Sequence, residues 1–554
     1  LQNGENILAI GAWNLAAGSS DLVLAPWLGV NLELRVTRGP YLQLGTPTSM
    51  VVRWRTSYPV ESRLEYGDAP GNLTFSVVDP APKTEHEITI SGLDPETQYF
   101  YAVGTSEGML AGDDADHFFI TSPPAGAIRP IRIWAMGDFG EGTPDAMAVR
   151  DAYYAYTAGR HTDMWLMLGD NAMPNGTDYE YQTKLFEIYP EILRQTVAWP
   201  TIGNHEFGSS NSWNQSGPYY DSFTMPTAGE AGGLASGTEA YYSYDFGNIH
   251  FVVLDSYLTD RSVGSPMLTW LEADLASTGQ DWIIAFWHIS PYSKGVHDSD
   301  VDIEMIEMRE NVLPIIEDYG VDLVLSGHCH SYERSFLLDG HYGDSTTFSA
   351  VYQVDGGDGR EDGDGAYAKL EYGPDPHSGT VYTVAGSGAK LTGGDLDHPA
   401  MYISMNELGS LVLDVDDRRL DAVFLSSTGT ILDYYTVTKG NCVDVDSDQT
   451  CDDSDNCPGV PNEDQADGDS DGDGDACDVC PHDAGDDIDS DGFCADSDNG
   501  PWTSNPGQLD TDLDGAGDAC DADDDNDGVE DLSDCAPLIR GVSAPPGTVG
   551  STLR

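Results

Sequence analysis

The chain has 554 residues, 40% of them hydrophobic, which is enough apolar material for several buried cores. Its charge is lopsided: 24 Lys and Arg against 95 Asp and Glu give a net of -71. So acidic a surface repels nucleic acid and anionic membranes and favours cations, so no nucleic-acid-binding surface is expected. No apolar run reaches membrane-spanning length, so no transmembrane segment is expected either.

Residues 1–33 carry two apolar stretches, Ile7-Leu8-Ala9-Ile10 and Leu22-Val23-Leu24. They read either as the remnant of an upstream β domain, resembling the last strands of a carbohydrate-binding jelly roll, or as a plain N-terminal extension. No signal peptide is visible, but the chain does not open on Met and its first residues look like the middle of a domain, which reads as a fragment or a processed form. Residues 34–124 read as an all-β module. Met50, Val52 and Trp54 alternate with Val51, Arg53 and Arg55, and further strands are expected over 86–90 and 97–103 around the Asp94-Pro95 turn. Short strands at regular spacing predict a β-sandwich, and Ser122-Pro123-Pro124 begins a linker.

Over residues 129–440 the rhythm changes. Apolar runs at 131–136, 164–168, 249–254, 283–287 and 321–325 predict buried strands, with helices between them at 179–195 and 302–319. This is the pattern of an α/β layered domain. Residues 441–537 have too few apolar residues for a core, and Asp recurs at every second position. Of the 95 acidic residues, 33 lie between Cys442 and Cys535, where there is no Lys or Arg. Eight of the nine cysteines lie there too, pointing to disulfides and an oxidising, extracytoplasmic setting, secreted or at a cell surface. Residues 538–554 read as a linker.

Five short motifs within 137–330 contain residues that can hold a metal: Gly137-Asp138-Phe139-Gly140, Gly169-Asp170-Asn171, Gly203-Asn204-His205-Glu206, Trp287-His288 and Gly327-His328-Cys329-His330. Four directly follow a predicted strand, and open α/β sheets carry their sites at such carboxyl ends. Two Asp, one Asn and three His form a donor set for two adjacent cations. A carboxylate can bridge, imidazoles suit zinc, iron or manganese, and an Asn carbonyl limits the negative charge. Cys329 falls between two such donors and reads as a small packing residue.

These motifs resemble those of calcineurin-like metallophosphoesterases, specifically the purple acid phosphatase branch. Arg38-Gly39-Pro40-Tyr41-Leu42-Gln43 and Tyr332-Glu333-Arg334 resemble that branch as well. The resemblance spans about residues 34–440. It implies a fibronectin type III-like sandwich ahead of a four-layer α/β metallophosphoesterase domain. It also implies a secreted phosphatase that hydrolyses phosphomonoesters through a hydroxide held between two transition-metal ions, iron, zinc or manganese. Asp138, Asp170 and His330 would hold the first ion. Asp170, Asn204, His288 and His328 would hold the second. His205 would contact the substrate phosphate, and His297, or Glu206 through water, would protonate the leaving group. The branch carries a Tyr three residues after the bridging Asp, and here that residue is Met173. Tyr179 and Tyr181 are out of spacing to replace it. The expected enzyme is therefore colourless and takes a divalent ion at the first site. Met173 also leaves open a surface binding or adhesion protein with an inactive domain. A phosphodiesterase or nucleotidase is a further alternative within the enzyme class.

The acidic segment holds Asp455-Asn456-Cys457-Pro458-Gly459-Val460-Pro461-Asn462, followed by Asp467, Asp469, Asp471, Asp473 and Asp475. Carboxylates two apart can converge on calcium where a Gly lets the chain wrap. Asp510, Asp512, Asp514 and Asp518 form a related unit, as do Asp523, Asp525 and Asp527. The segment resembles thrombospondin type 3 repeats, which implies several bound Ca2+ and a stiff spacer or an attachment arm for a cell surface or matrix. The helices that an EF-hand needs are absent. Neighbour pairing of the cysteines (Cys442–Cys451, Cys457–Cys477, Cys480–Cys494, Cys520–Cys535) is the expectation among many possible connectivities.

Overall fold

The computed structural model describes residues 9–14, 22–27, 33–369, 371–440, 445, 446, 448, 450, 455–462, 464–533 and 537–540. Residues 1–440 and 441–554 form two compact units. Of the first 32 residues, the backbone of one antiparallel pair is described, Ala9–Asn14 with Leu22–Trp27. The rest of the expected upstream β remnant lies outside the described residues, as does the linker beyond 540.

Six strands make the β module. Its long strand Ser49–Gly67 pairs with Val36–Gln43 up to Thr56 and with Gln98–Thr105 from Arg63 on, and between these stretches its register with Phe75–Ser91 shifts. Phe75–Ser91 runs along it on the other edge. The expected in/out alternation at 50–55 is not seen as burial. Met50, Val52 and Trp54 fill the module's own core, and Arg53 on the opposite face is also buried. That face packs on the α/β domain. Arg53 donates to the Asp221 carbonyl at 2.6 Å, while Arg38 and Arg55 both reach Asp178.

The α/β domain is built on two sheets. In the first, Val197–Pro200, Met164–Met167 and Ile131–Met136 run parallel, and antiparallel strands Gly409–Asp416, Arg419–Ser426 and Ile431–Lys439 extend it. The second contains the parallel run Ile249–Val253, Trp282–Phe286, Leu323–Ser326 and Thr380–Ala385. Each parallel strand named here up to Leu323–Ser326 is buried along its whole length, which is why these strands appear in the sequence as unbroken apolar runs. One large apolar cluster joins the first sheet to the β module, with Trp134, Trp165 and Tyr189 packed ring on ring. A second covers the other side of the second sheet, where helices Pro266–Leu275 and Ile303–Glu307 bury Leu271 and Met305.

The described residues of the second unit form turns and bends, with no helix or strand among them. Disulfides join Cys457 to Cys477 and Cys480 to Cys494, two of the expected pairs. The expected Cys442–Cys451 pair, and Cys535 of the fourth, lie outside the described residues. One arrangement recurs 43 residues on. Asn456 N donates to Gln465 Oε1, and Asn499 N donates to Gln508 Oε1, both at 3.0 Å. Asp448 accepts from Asn462 N, and Asp491 from Asn505 N, both at 2.7 Å. Gly500 stands where the first copy has Cys457.

Candidate metal centre

The six expected ligands come from both sheets. Asp138, Asp170 and Asn204 follow the carboxyl ends of Ile131–Met136, Met164–Met167 and Val197–Pro200 in the first sheet. His288, His328 and His330 follow Trp282–Phe286 and Leu323–Ser326 in the second. The site therefore lies on a seam. Asp138, Asp170 and His328 adopt left-handed backbone, with φ of 57°, 53° and 69°. Such a conformation costs a non-glycine residue about 1–3 kcal/mol. Hydrogen bonds hold it in place: Asp138 N donates to the Gly169 carbonyl at 3.1 Å, and His328 N donates to Asp138 Oδ2 at 2.8 Å. Two glycines permit the close approach. A Cβ at Gly203 would lie 2.2 Å from Asp170 Oδ1, and one at Gly169 would strike the His288 ring at 2.5 Å.

Donor atoms face one another across the seam. His288 holds Nδ1 on the Leu168 carbonyl at 2.9 Å and turns Nε2 inward, 3.5 Å from Asp170 Oδ2 and 2.9 Å from Asn204 Oδ1. His328 brings Nδ1 to within 3.0 Å of the same Asn204 oxygen. His330 keeps Nδ1 on Thr392 Oγ1 and points Nε2 at Asp138 Oδ1, 3.4 Å away. Asp138 Oδ1 is buried without a hydrogen-bond partner. Two donors sharing a cation at ~2.1 Å lie about 3.0–3.5 Å apart, so these separations fit N and O ligands around transition-metal ions. Donor atoms of Asp138, Asp170 and His288 all lie within 4.8 Å of one another.

The electrostatics are those of crowded carboxylates. Burial opposes charge on Asp170, yet His288 and His205 beside it hold its carboxyl well below the usual range. Burial also opposes charge on His288, but Asp170 and Asp138 pull its pKa up to about 10. A cation bound there would displace that proton, and its uptake would then depend on pH. Burial, then His288 and His297, push His328 far down, leaving it neutral and able to ligate.

His205 lies on the open side, 30% exposed. Its Nδ1 is fixed on the Pro174 carbonyl at 2.8 Å, and its Nε2 lies 3.7 Å from Asp170 Oδ2. His297 stacks on His328 with centroids 3.8 Å apart, and its Nδ1 is held by Asp302 at 2.9 Å. Glu206 needs correction as a proton donor to the leaving group. It is fully buried behind the ligand loops, accepting Asn171 N, Ala172 N and Tyr181 Oη on Oε1 and Gly203 N on Oε2. Burial, with Asp170 close by, raises its carboxyl to about 7. It fastens the Asp170 turn to the Asn204 turn. Met173 is buried at the position of the missing phenol. Tyr181 spends its hydroxyl on Glu206, and Tyr179 is 74% exposed. Cys329 is sealed between its ligand neighbours, and burial raises its thiol to about 12. Thr392 and Asp302, which orient His330 and His297, escaped the sequence reading because neither belongs to a motif. A cavity of about 850 Å3 lies elsewhere, at the amino end of Ile131–Met136. It is lined by Arg129, Arg160 and Arg419, each already paired with a carboxylate.

Among the described residues of the second unit one loop geometry occurs four times. Asp467, Asp487, Asp510 and Asp523 each accept the N–H of a glycine five residues on, at 3.2, 2.8, 3.1 and 2.9 Å. Two residues after the first three of these, Asp469, Asp489 and Asp512 each keep a buried oxygen without a partner. Asp467, Asp469 and Asp471 cluster, as do Asp471, Asp473 and Asp486. Asp486 comes from the following loop, beyond Cys480, and no spacing rule pointed to it. Asp475 gives one oxygen to Gly468 N, and Asp518 gives both to Thr511.

Residues 131–332 match the calcineurin-like phosphoesterase model, residues 37–121 the purple acid phosphatase N-terminal domain, and residues 509–540 the thrombospondin type 3 repeat. Purple acid phosphatase 23 of Arabidopsis thaliana is 28% identical over 345 residues, covering 53% of this chain and 73% of the relative. Purple acid phosphatase 15 of the same plant is 29% identical over 279 residues, covering 45% of this chain and 49% of the relative. The chain thus spans 49% to 73% of the length of these relatives. The fold matches that of a purple acid phosphatase from yellow lupin (Lupinus luteus) seeds, with a TM-score of 0.58 at 18% identity, over 73% of this chain and 75% of that one. With its seam of Asp, Asn and His donors and these matches, the chain carries a calcineurin-like phosphoesterase domain behind a purple acid phosphatase N-terminal domain and is similar to the purple acid phosphatases, which are metal-dependent phosphatases.

Proposed function

We propose that this protein is a dinuclear metal-dependent phosphatase that hydrolyses phosphomonoesters outside the cell, with calcium bound in its Asp-rich repeats. The observation that carries the reading is the convergence of six N and O donors from two sheets on one seam, with Asp138 Oδ1 buried and unpartnered. Asp138 and His330 would hold one cation, Asn204, His288 and His328 the other, and Asp170 both. Two cations there would neutralise charge on the phosphoryl oxygens and acidify a water poised to attack phosphorus. His205, fixed through Nδ1, has Nε2 available for a phosphoryl oxygen. His297, held by Asp302, has Nε2 available to give a proton to the leaving alkoxide. Met173 supplies no phenolate, so a colourless centre with a divalent ion at the first site fits these residues best.

The test is to strip the full-length protein of metal and titrate it with manganese, zinc and iron, following phosphomonoester hydrolysis and metal content together. Turnover restored at two ions per chain beyond the calcium supports the reading. A folded, metal-loaded protein without turnover would favour a surface protein with a retired site.

A further inference from the structure

We propose that Phe207 and Tyr257 form an apolar subsite at the rim of the metal centre that receives an aromatic leaving group of the phosphate ester. The proposal rests on the phosphatase reading and names the substrate class of that site. Phe207 follows His205 by two residues and is 60% exposed. A lone exposed phenylalanine is ordinary, but this one is held rigidly. It sits in the short turn Glu206–Gly208, whose Glu206 is buried and fastened by four donors. The next residue, Gly208, packs so closely on Asn175 that a Cβ there would lie 3.0 Å from the Asn175 Cβ.

Tyr257 meets Phe207 edge to face, with centroids 6.2 Å apart and planes at 69°. Its loop is fixed as well: Asp255 Oδ1 accepts Tyr257 N at 3.0 Å and Leu258 N at 2.8 Å. Ser256 Oγ accepts Ile289 N at 2.9 Å, and Ile289 directly follows His288. The two rings thus stand on the two loops tied to His205 and His288. Ring pairs of this kind favour a third aromatic ring over an aliphatic group. The nearby charges do not suit an anionic leaving group. Arg261 is spent on Glu307 and on the Tyr257 carbonyl, and Asp260 adds negative charge at the surface.

The test compares 2-phenylethyl phosphate with propyl phosphate on the metal-loaded full chain. Both leave as alkyl alcohols of similar acidity, so the chemical step cancels in the ratio. The expected preference in kcat/KM is roughly 3- to 10-fold for the phenylethyl ester. In Phe207→Ala it should fall toward one, and in Phe207→Trp it should persist. A ratio near one in the wild type overturns the subsite, as does a Phe207→Ala variant that slows both esters and keeps the ratio. Absence of any hydrolysis would instead overturn the phosphatase reading. Calorimetry with 2-phenylethylphosphonate against propylphosphonate then decides the subsite. Tighter aryl binding that is lost in Phe207→Ala sustains it, and equal affinities sink it.

Discussion

The two units of this chain are held together by opposite means. In residues 1–440, indole rings such as Trp134, Trp165 and Trp282 are completely buried, and the metal-binding loops hang from strands that apolar packing has already fixed. Beyond residue 440, the buried apolar side chains among the described residues are the disulfide cysteines Cys457 and Cys480, while Trp502 and Leu513 are 77% and 84% exposed. One unit has an apolar core on which to fold, and its carboxylates stand on that frame. The other has little besides carboxylates, backbone turns and disulfides to fold with, so cations bound there would be part of its fold.

Withdrawing calcium is the sharpest way to break this comparison. Each site held at 100-fold above its dissociation constant adds about 2.7 kcal/mol. A calcium-selective chelator should therefore open residues 445–533 to protease while residues 1–440 stay intact. An unchanged cleavage pattern in the repeats would mean that calcium does not hold them.

His288→Ala tests the other side. The strand that leads into His288 is apolar and buried along its whole length, so the variant should stay folded while phosphomonoester hydrolysis falls by at least about 10³-fold. Activity and circular dichroism measured together separate these effects, and full activity would remove His288 from the ligand set.

The smallest effect concerns a buried charge inside the apolar unit. His250 lies between Asp245 at 2.7 Å and Asp274 at 3.0 Å. Burial opposes its charge, but the two carboxylates raise its pKa to about 9. Its folded-state pKa exceeds the unfolded value. Roughly 3 kcal/mol of stability is therefore fully present below about pH 6.5 and is lost as pH rises through about 9. Urea unfolding at pH 6, 7.5 and 9 should show this slope in the wild type and not in His250→Gln. The same slope in both would assign the pH dependence to other groups.

The same contrast governs what could be read from the sequence. Strands buried on both faces leave apolar runs, so 131–136, 164–168 and 283–287 were legible, and the ligands at their ends with them. The strands Gly409–Asp416 through Ile431–Lys439, which widen the first sheet, were not singled out. Their side chains mix buried with half-exposed positions. Glu206 is expected from the sequence to pass a proton through water, but adjacent residues on a turn can face opposite ways, and it faces the interior. In the repeats, the unit around Asn456 stood out through Cys457-Pro458. Its counterpart around Asn499 makes the same hydrogen bonds but carries Gly500, and with the cysteine gone it was passed over.

The seam itself has a consequence for how such proteins diverge. Three of the donors belong to one sheet and three to the other, so a cation bound by both sets acts as a rivet between the two halves of the domain. At 1,000-fold above its dissociation constant, it would add about 4 kcal/mol to the folded state. Selection for a sturdy fold can then preserve Asp138, Asp170, Asn204, His288, His328 and His330 after turnover has been lost. Residues with no part in the rivet, such as His205 and His297, are therefore the better record of whether a given relative still works as an enzyme.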